Sequence, residues 1–259
     1  MLKLVLTAAM AIATLPQEPS TPEQAAVEAA VARLREAFKQ GDAPERVRAI
    51  EAATAVVDGD VIAWIDKGLS DSDPSVVTAA IEGLRFMDHP DALDCLHGLY
   101  KRDKKLRKDE EMAVRLLKAI GQHGSRRSIP ILNDSPFSSP YGKLVQARIL
   151  GLANIRDVRS LEALMGLMKL AGRQQIQNHM RTFRLALMVL TGTDEGLSQD
   201  AWVRWWNDNK RKLVVAAEPP ALPKELQRQW NSYWGKAMER ERGTKRGDRG
   251  NDPEGNGHR

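Results

Sequence analysis

What most constrains this chain is a two-helix unit that returns every 31 to 36 residues. Its clearest instance is DSDPSVVTAAIEGLRFMDHPDALDCLHGL, Asp71 to Leu99. Asp73 can accept the free amides at the start of a helix whose first residue is Pro74, where a missing N–H costs nothing. Val76, Val77, Ala80, Ile81 and Leu84 then fall at i, i+1, i+4, i+5 and i+8, one apolar stripe of an α-helix. His89-Pro90 stops that helix and opens another, striped by Leu93, Leu96 and Leu99. The stretch reads as the second helix of one hairpin, a tight turn, and the first helix of the next.

Ala80-Ile81-Glu82-Gly83-Leu84 is echoed upstream by Ala49-Ile50-Glu51-Ala52-Ala53. The small-plus-large pair returns at Ala119-Ile120, Gly151-Leu152 and Ala186-Leu187. The small residues at 52, 83, 119, 151 and 186 are therefore 31, 36, 32 and 35 positions apart. A unit of that length holding two striped helices cannot bury its apolar face alone, so neighbours must stack. The fold class is all-α: an α-solenoid of helical hairpins, closed by a Trp-rich C-terminal capping element. The small residue lets one helix approach the next, and the large one fills the seam.

DPSVVTAAIEGL followed by HPDALDCL resembles a HEAT repeat of the short bacterial type, also called HEAT-like or PBS-lyase-type. MAVRLLKAIGQHGSRRSIPIL and ARILGLANIRDVRSLEAL resemble the same unit, so the resemblance covers roughly Glu45 to Leu190. Two residues depart from the family pattern. Val77 stands where an arginine is usual, and Arg148 stands where the best unit has Ala80. The resemblance implies a fold and constrains function loosely, because members of the family share no common chemistry.

The chain of 259 residues is long enough to bury a substantial core as one elongated domain. Aromatics make up only 5% and strand-type runs of Val, Ile and Thr are absent, which excludes a β architecture. A net charge of +5 suggests mild affinity for polyanions, with much of the excess at the C-terminus. The single cysteine, Cys95, excludes an intrachain disulfide or a cysteine zinc cluster and reads as a small buried hydrophobe.

Met1-Leu2-Lys3, the run LVLTAAMAIA and the small-x-small step Ala11-Ile12-Ala13 together read as a secretory signal peptide over residues 1–13. The run is too short for a permanent membrane span, and no cysteine follows for lipid attachment. The expected protein is exported to the periplasm or cell exterior, without stable membrane insertion after cleavage. A linker over 14–21 leads to a solenoid over 22–192, a helical cap over 193–241 and a polar, disordered tail over 242–259. The tail contains Arg246-Gly247-Asp248, a match expected from composition alone.

Within the solenoid, Thr21, Pro22 and Gln24 predict a helix ending at Gly41, and Pro44 opens a partner ending at Asp58-Gly59. The next first helix is expected over Asp60–Leu69; Ser125 opens a short helix ending near Asn133, and Asp157 and Gly172 bracket a later one.

Three places offer binding residues. The block KRDKKLRKDEE places Lys104, Lys105, Arg107 and Lys108 where they could track an anionic polymer, or simply form a solvated turn. The loop SPFSSPYG carries Phe137 and Tyr141 at one edge of the array. In LTGTDEGLSQDAWVRWWNDNK, Trp202, Trp205 and Trp206 share one helical face, which is either core closing the solenoid or a patch for a glycan, peptide or partner helix. This LTG-turn-AWxxWW ending resembles one found behind HEAT repeats in exported bacterial proteins, and the resemblance implies no mechanism. Leu226, Trp230, Tyr233, Trp234 and Ala237 repeat the pattern on a last helix.

Catalysis needs a constellation, and none assembles. None of the five histidines (His89, His97, His123, His179, His258) is followed by glutamate, and HExxH, a glycine-rich phosphate loop and GxSxG are absent. His89 and His97, eight apart, are too distant on one helix to share a metal and read as turn or surface residues. HEAT-like repeats also occur in phycobilin lyases and alkylated-base DNA glycosylases, whose sites are not recognisable here. The expectation is a non-catalytic module with no cofactor and no metal, which binds a protein or peptide partner or, alternatively, an anionic polymer or glycan.

Overall fold

Most of the helices begin where a side chain accepts a free amide, and Thr21, Asp73, His89 and Asp157 are caps that the pattern singles out. The computed structural model describes residues 21–134, 137 and 142–235, and these form twelve α-helices and no strand. The first hairpin is α1 (Pro22–Gln40) and α2 (Ala43–Ala53), both opened by capping boxes. Thr21 pairs reciprocally with Gln24, and Asp42 with Glu45. Then come α3 (Gly59–Gly68) and α4 (Pro74–Phe86), opened by Asp58 and Asp73. His89 opens α5 (Pro90–Arg102), its Nδ1 accepting the Asp91 amide at 3.2 Å, and Asp109 opens α6 (Glu110–Gln122). The fourth pair is α7 (Ile129–Leu132) and α8 (Gly142–Ala153), the fifth α9 (Val158–Leu170) and α10 (Arg173–Thr191). Two further helices follow, α11 (Gln199–Asn209) and α12 (Lys224–Trp234).

Two expected boundaries move. The helix opened near Pro44 ends at Ala53, and Asp58-Gly59 begins α3 instead of ending α2. Gly172 likewise caps the start of α10 and does not end α9. At the first, Asp58 accepts the Asp60 amide at 2.8 Å; at the second, Gln175 reaches back to accept the Gly172 amide at 2.9 Å, so each turn residue serves the helix after it.

The second helices touch in succession, α2 to α4 to α6 to α8 to α10, and the first helices back them. Between the layers lie Ile50, Ile62, Ile81, Leu84, Leu96, Leu116 and Phe183, all without meaningful exposure. The seams depend on small residues, with one change of register. Ala52 is exposed, and it is Ile50 and Thr54 that face Gly83 across the α2–α4 seam. Between α6 and α8 the closest approach is at Gly121 and Gly151, where an added Cβ on Gly121 would lie 2.7 Å from the Gly151 Cα.

The two departures from the repeat pattern acquire physical reasons. Val77 is buried, and the arginine function sits one period earlier: Arg46 on α2 binds Asp71 with Nε–Oδ2 2.8 Å and Nη2–Oδ1 3.0 Å. Asp71 in turn accepts the Asp73 amide, so the pair fixes the turn that starts α4. Arg148 is buried because α7 is a single turn whose carbonyls lack a continuing helix. Its Nη1 donates to Ile131 O at 2.6 Å and its Nη2 to Tyr100 Oη at 3.1 Å, while Tyr100 donates to Asp134.

The expected signal peptide, most of the linker, Tyr141 and the polar tail with Arg246–Asp248 lie outside the described residues. No described helix is long and apolar enough to cross a membrane.

Candidate functional site

After α11 the chain does not stop at the end of the array. It runs back along the C-terminal ends of the second helices, where carbonyl groups without helical partners attract donors. Arg156, in the turn after α8, makes the first clasp. Its Nε donates to Ala216 O at 2.9 Å and its Nη2 to Glu218 O at 3.1 Å, while Nη1 reaches the Val189 carbonyl near the end of α10. Pro220 lies over Gly192, whose φ of 73° closes α10 in the left-handed region and leaves room for the ring.

The second clasp is Arg85, only 7% exposed, at the end of α4. Its Nη2 donates to the Trp234 carbonyl at 2.9 Å and to Gln122 Oε1 at 3.3 Å. Lys118 places its ammonium 4.8 Å from the Tyr233 ring centroid, a cation–π contact. Burial, reinforced by the Arg85 charge, holds that ammonium below the ordinary lysine range. The Trp234 indole rests where Gly121 has no side chain, and Trp230 and Tyr233 meet it edge-on at 5.6 and 4.8 Å.

Beyond Trp234-Gly235 the second-helix face opens into a cleft of about 1020 Å³. Glu51 of α2 and Thr54 just after it, Thr78 and Glu82 of α4, and Met112 and Arg115 of α6 line it. A ladder of ion pairs crosses its α4–α6 wall: Arg85 to Glu82 at 3.1 Å, Arg115 to Glu82 at 3.0 Å, and Arg115 to Glu111 at 3.0 Å. Glu51 stands exposed on the opposite wall.

Residues 31–115, from within α1 to within α6, match the family model for HEAT repeats. That stretch of the chain is built of HEAT repeats. HEAT repeats are in general protein-interaction scaffolds, and their fold is typically non-catalytic. No curated protein matches the chain. Most of the cleft lining lies within the matched residues, with Lys118 and the Trp234-Gly235 end of α12 contributed from beyond them.

The structure distributes the sequence-predicted binding residues unevenly. Trp202 has 0% exposure and Trp206 is buried, so neither indole can touch a ligand on this surface; Trp205 alone keeps an exposed edge. Trp202 donates from Nε1 to Gly196 O at 3.0 Å and meets Trp205 edge-on at 5.9 Å. α11 packs across α9, where Gln199 also donates to the Met168 carbonyl at 2.8 Å. Phe137 is half-buried against the core. Lys104, Lys105 and Lys108 are exposed around a 3-10 turn over Leu106–Lys108, but Arg107 is drawn away to the Tyr100 ring at 4.9 Å. The basic block is not one continuous cationic face.

The residues the sequence reading missed are Arg85, Lys118 and Arg156. Basic groups near helix C-termini usually read as solvated complements of the helix dipole. The available signal was positional: Arg85 lies in the last turn of a second helix and Arg156 in the turn just after one.

His97 also departs from the expected surface position. It is buried on α5, with Nε2 2.9 Å from Ser128 Oγ, and Ser128 is fully enclosed. A serine beside an imidazole is half of a nucleophilic pair, yet no substrate can reach this hydroxyl. Cys95 is half-buried, and burial followed by the nearby Asp66 pushes its thiol up to about 12, so it stays protonated and inert. Among the described residues no group of His, Cys, Asp and Glu could hold a metal ion.

Burial, followed by the charge of Arg127, lowers His97 to about 4 from its ordinary 6.5. The unfolded chain therefore binds the extra proton first as pH falls. The contribution of a neutral, buried His97 is fully present above about pH 6.5 and is lost between there and about 4, by up to about 3 kcal/mol. Chemical denaturation at a series of pH values should show this loss, and a His97→Gln variant should show a shallower acid slope over the same window.

Proposed function

We propose that this HEAT array is an exported, non-catalytic interaction module that holds a peptide segment of a protein partner in the α2–α4–α6 cleft. One observation carries the reading: about 1020 Å³ of open groove spans three successive second helices on one face. Its ion-pair ladder presents both signs of charge, which suits a segment offering main-chain dipoles and mixed side chains better than a uniform polyanion. Photo-crosslinking groups at Glu51 and Glu111, on opposite walls, should capture the same protein in native extracts. The same group at the exposed Glu162 of α9 should capture it at least tenfold less. Equal capture from Glu162 would remove the cleft from consideration.

Export rests on the sequence of residues 1–13. Protein isolated from its native host should begin near Thr14, and a soluble form retaining Met1 would exclude cleavage.

A further inference from the structure

We propose that the seat of α12 is a second peptide-binding site, for an aromatic amphipathic helix of a partner protein, and that α12 is the ligand occupying it in cis. This rests on the interaction-module reading and extends it to a place outside the cleft.

The seat reads features that another peptide can supply. Arg85 holds α12 by the Trp234 main-chain carbonyl, a group every peptide carries, while Arg156 holds the connection ahead of it at Ala216 and Glu218. What selects the occupant is the aromatic triplet. Trp230, Tyr233 and Trp234 lie at i, i+3 and i+4, on one side of a helix. The bare Gly121 admits the last ring, and the Lys118 ammonium faces the middle one.

The seat fits α12 imperfectly. Tyr233 Oη, Trp234 Nε1 and Arg85 Nε are buried there without a hydrogen-bond partner among the described residues. Each gave up water for nothing on docking, so the bound state is weaker than its buried ring area implies. Of α12 only Leu226 and Trp234 are fully buried, with Trp230 and Tyr233 partly buried against the core. The connection from Leu213 to Pro223 is non-helical, with Val214 85% exposed and Pro219-Pro220 at its centre. The buried stripes of α2, α4, α6, α8 and α10 meet one another and the first helices, so the array retains its core when α12 leaves. Trp234 and Gly235 also form one end of the cleft, which makes release of α12 and entry into the cleft neighbouring events.

The probe is a fluorescent synthetic peptide of residues 219–235, and the protein is the full chain with a protease site introduced at Glu218-Pro219. Cleavage of the folded chain should leave the helical signal of the array intact and release the C-terminal fragment on dilution. The cleaved protein should then bind the probe at least tenfold more tightly than the uncleaved chain, in which the tethered α12 competes at high effective concentration. A Trp234→Ala probe should bind at least tenfold more weakly, and a Tyr233→Phe probe at least as tightly as the parent, since it buries no orphaned hydroxyl. Collapse of the array on cleavage, a fragment that never exchanges, or equal binding by cut and uncut chains would each make α12 a fixed part of the fold. Such a result would leave the cross-linking at Glu51 and Glu111 untouched. Failure of the cross-linking with successful peptide exchange would instead remove only the cleft.

Discussion

Trp202→Ala should lower the melting temperature of the whole array by about 10 °C or more. The indole is fully enclosed on α11, which packs across α9, and truncating a buried tryptophan costs roughly 3–5 kcal/mol. For a chain of this size each kcal/mol moves the midpoint by about 2–4 °C. The loss is not confined to α11, because a HEAT unit is stabilised by its neighbours and an uncovered end exposes the next apolar face. The truncated side chain also leaves the Gly196 carbonyl without its donor. Trp205→Ala supplies the comparison: its ring is only partly buried, so roughly half that effect is expected. Thermal unfolding followed by circular dichroism reads both. A Trp202→Ala protein melting within a degree or two of the parent would mean that α11 does not close the array.

That pair of variants also marks how far the sequence could be read. Trp202, Trp205 and Trp206 fall at i, i+3 and i+4, which assigns them to one helical face and says nothing about what the face meets. The answer is tertiary: α11 packs across α9, Trp202 and Trp206 are buried, and Trp205 is left at the margin. Helix starts were legible because a cap is local. Asp73-Pro74 and Thr21-Pro22 with Gln24 need only their own next three residues. Register within a seam was harder, since Ala52 and Ala53 are equally small and one residue rotates the face by about 100°. His97 was within reach, because it lies four residues after Leu93 and beside Leu96 on the buried stripe. The path of the C-terminal segment was not. Arg85 and the Trp234 carbonyl it binds are separated by 149 positions, and no local pattern links a terminal arginine of one helix to a carbonyl that far along the chain.

One substitution made at two glycines should have opposite signs. Both Gly121 and Gly166 lie inside helices, where alanine is favoured over glycine by about 1 kcal/mol. At Gly166 a new Cβ would meet nothing within 4 Å, so Gly166→Ala should raise stability by some fraction of that amount. At Gly121 the same methyl would lie 2.7 Å from the Gly151 Cα, a main-chain atom that cannot rotate away as a side chain could. α6 and α8 must then separate, opening the seam on both sides of the contact, and overpacking of this kind costs about 1–3 kcal/mol or more. Trp234, 3.4 Å from the same methyl, would be pressed off its seat as the helices part. Gly121→Ala should therefore fall at least about 2 kcal/mol below the parent despite its better helix propensity. Urea denaturation of the two variants side by side gives the comparison directly. A Gly121→Ala protein as stable as Gly166→Ala would show that α6 and α8 are not in backbone contact, and the small residue at this seam would lose its explanation.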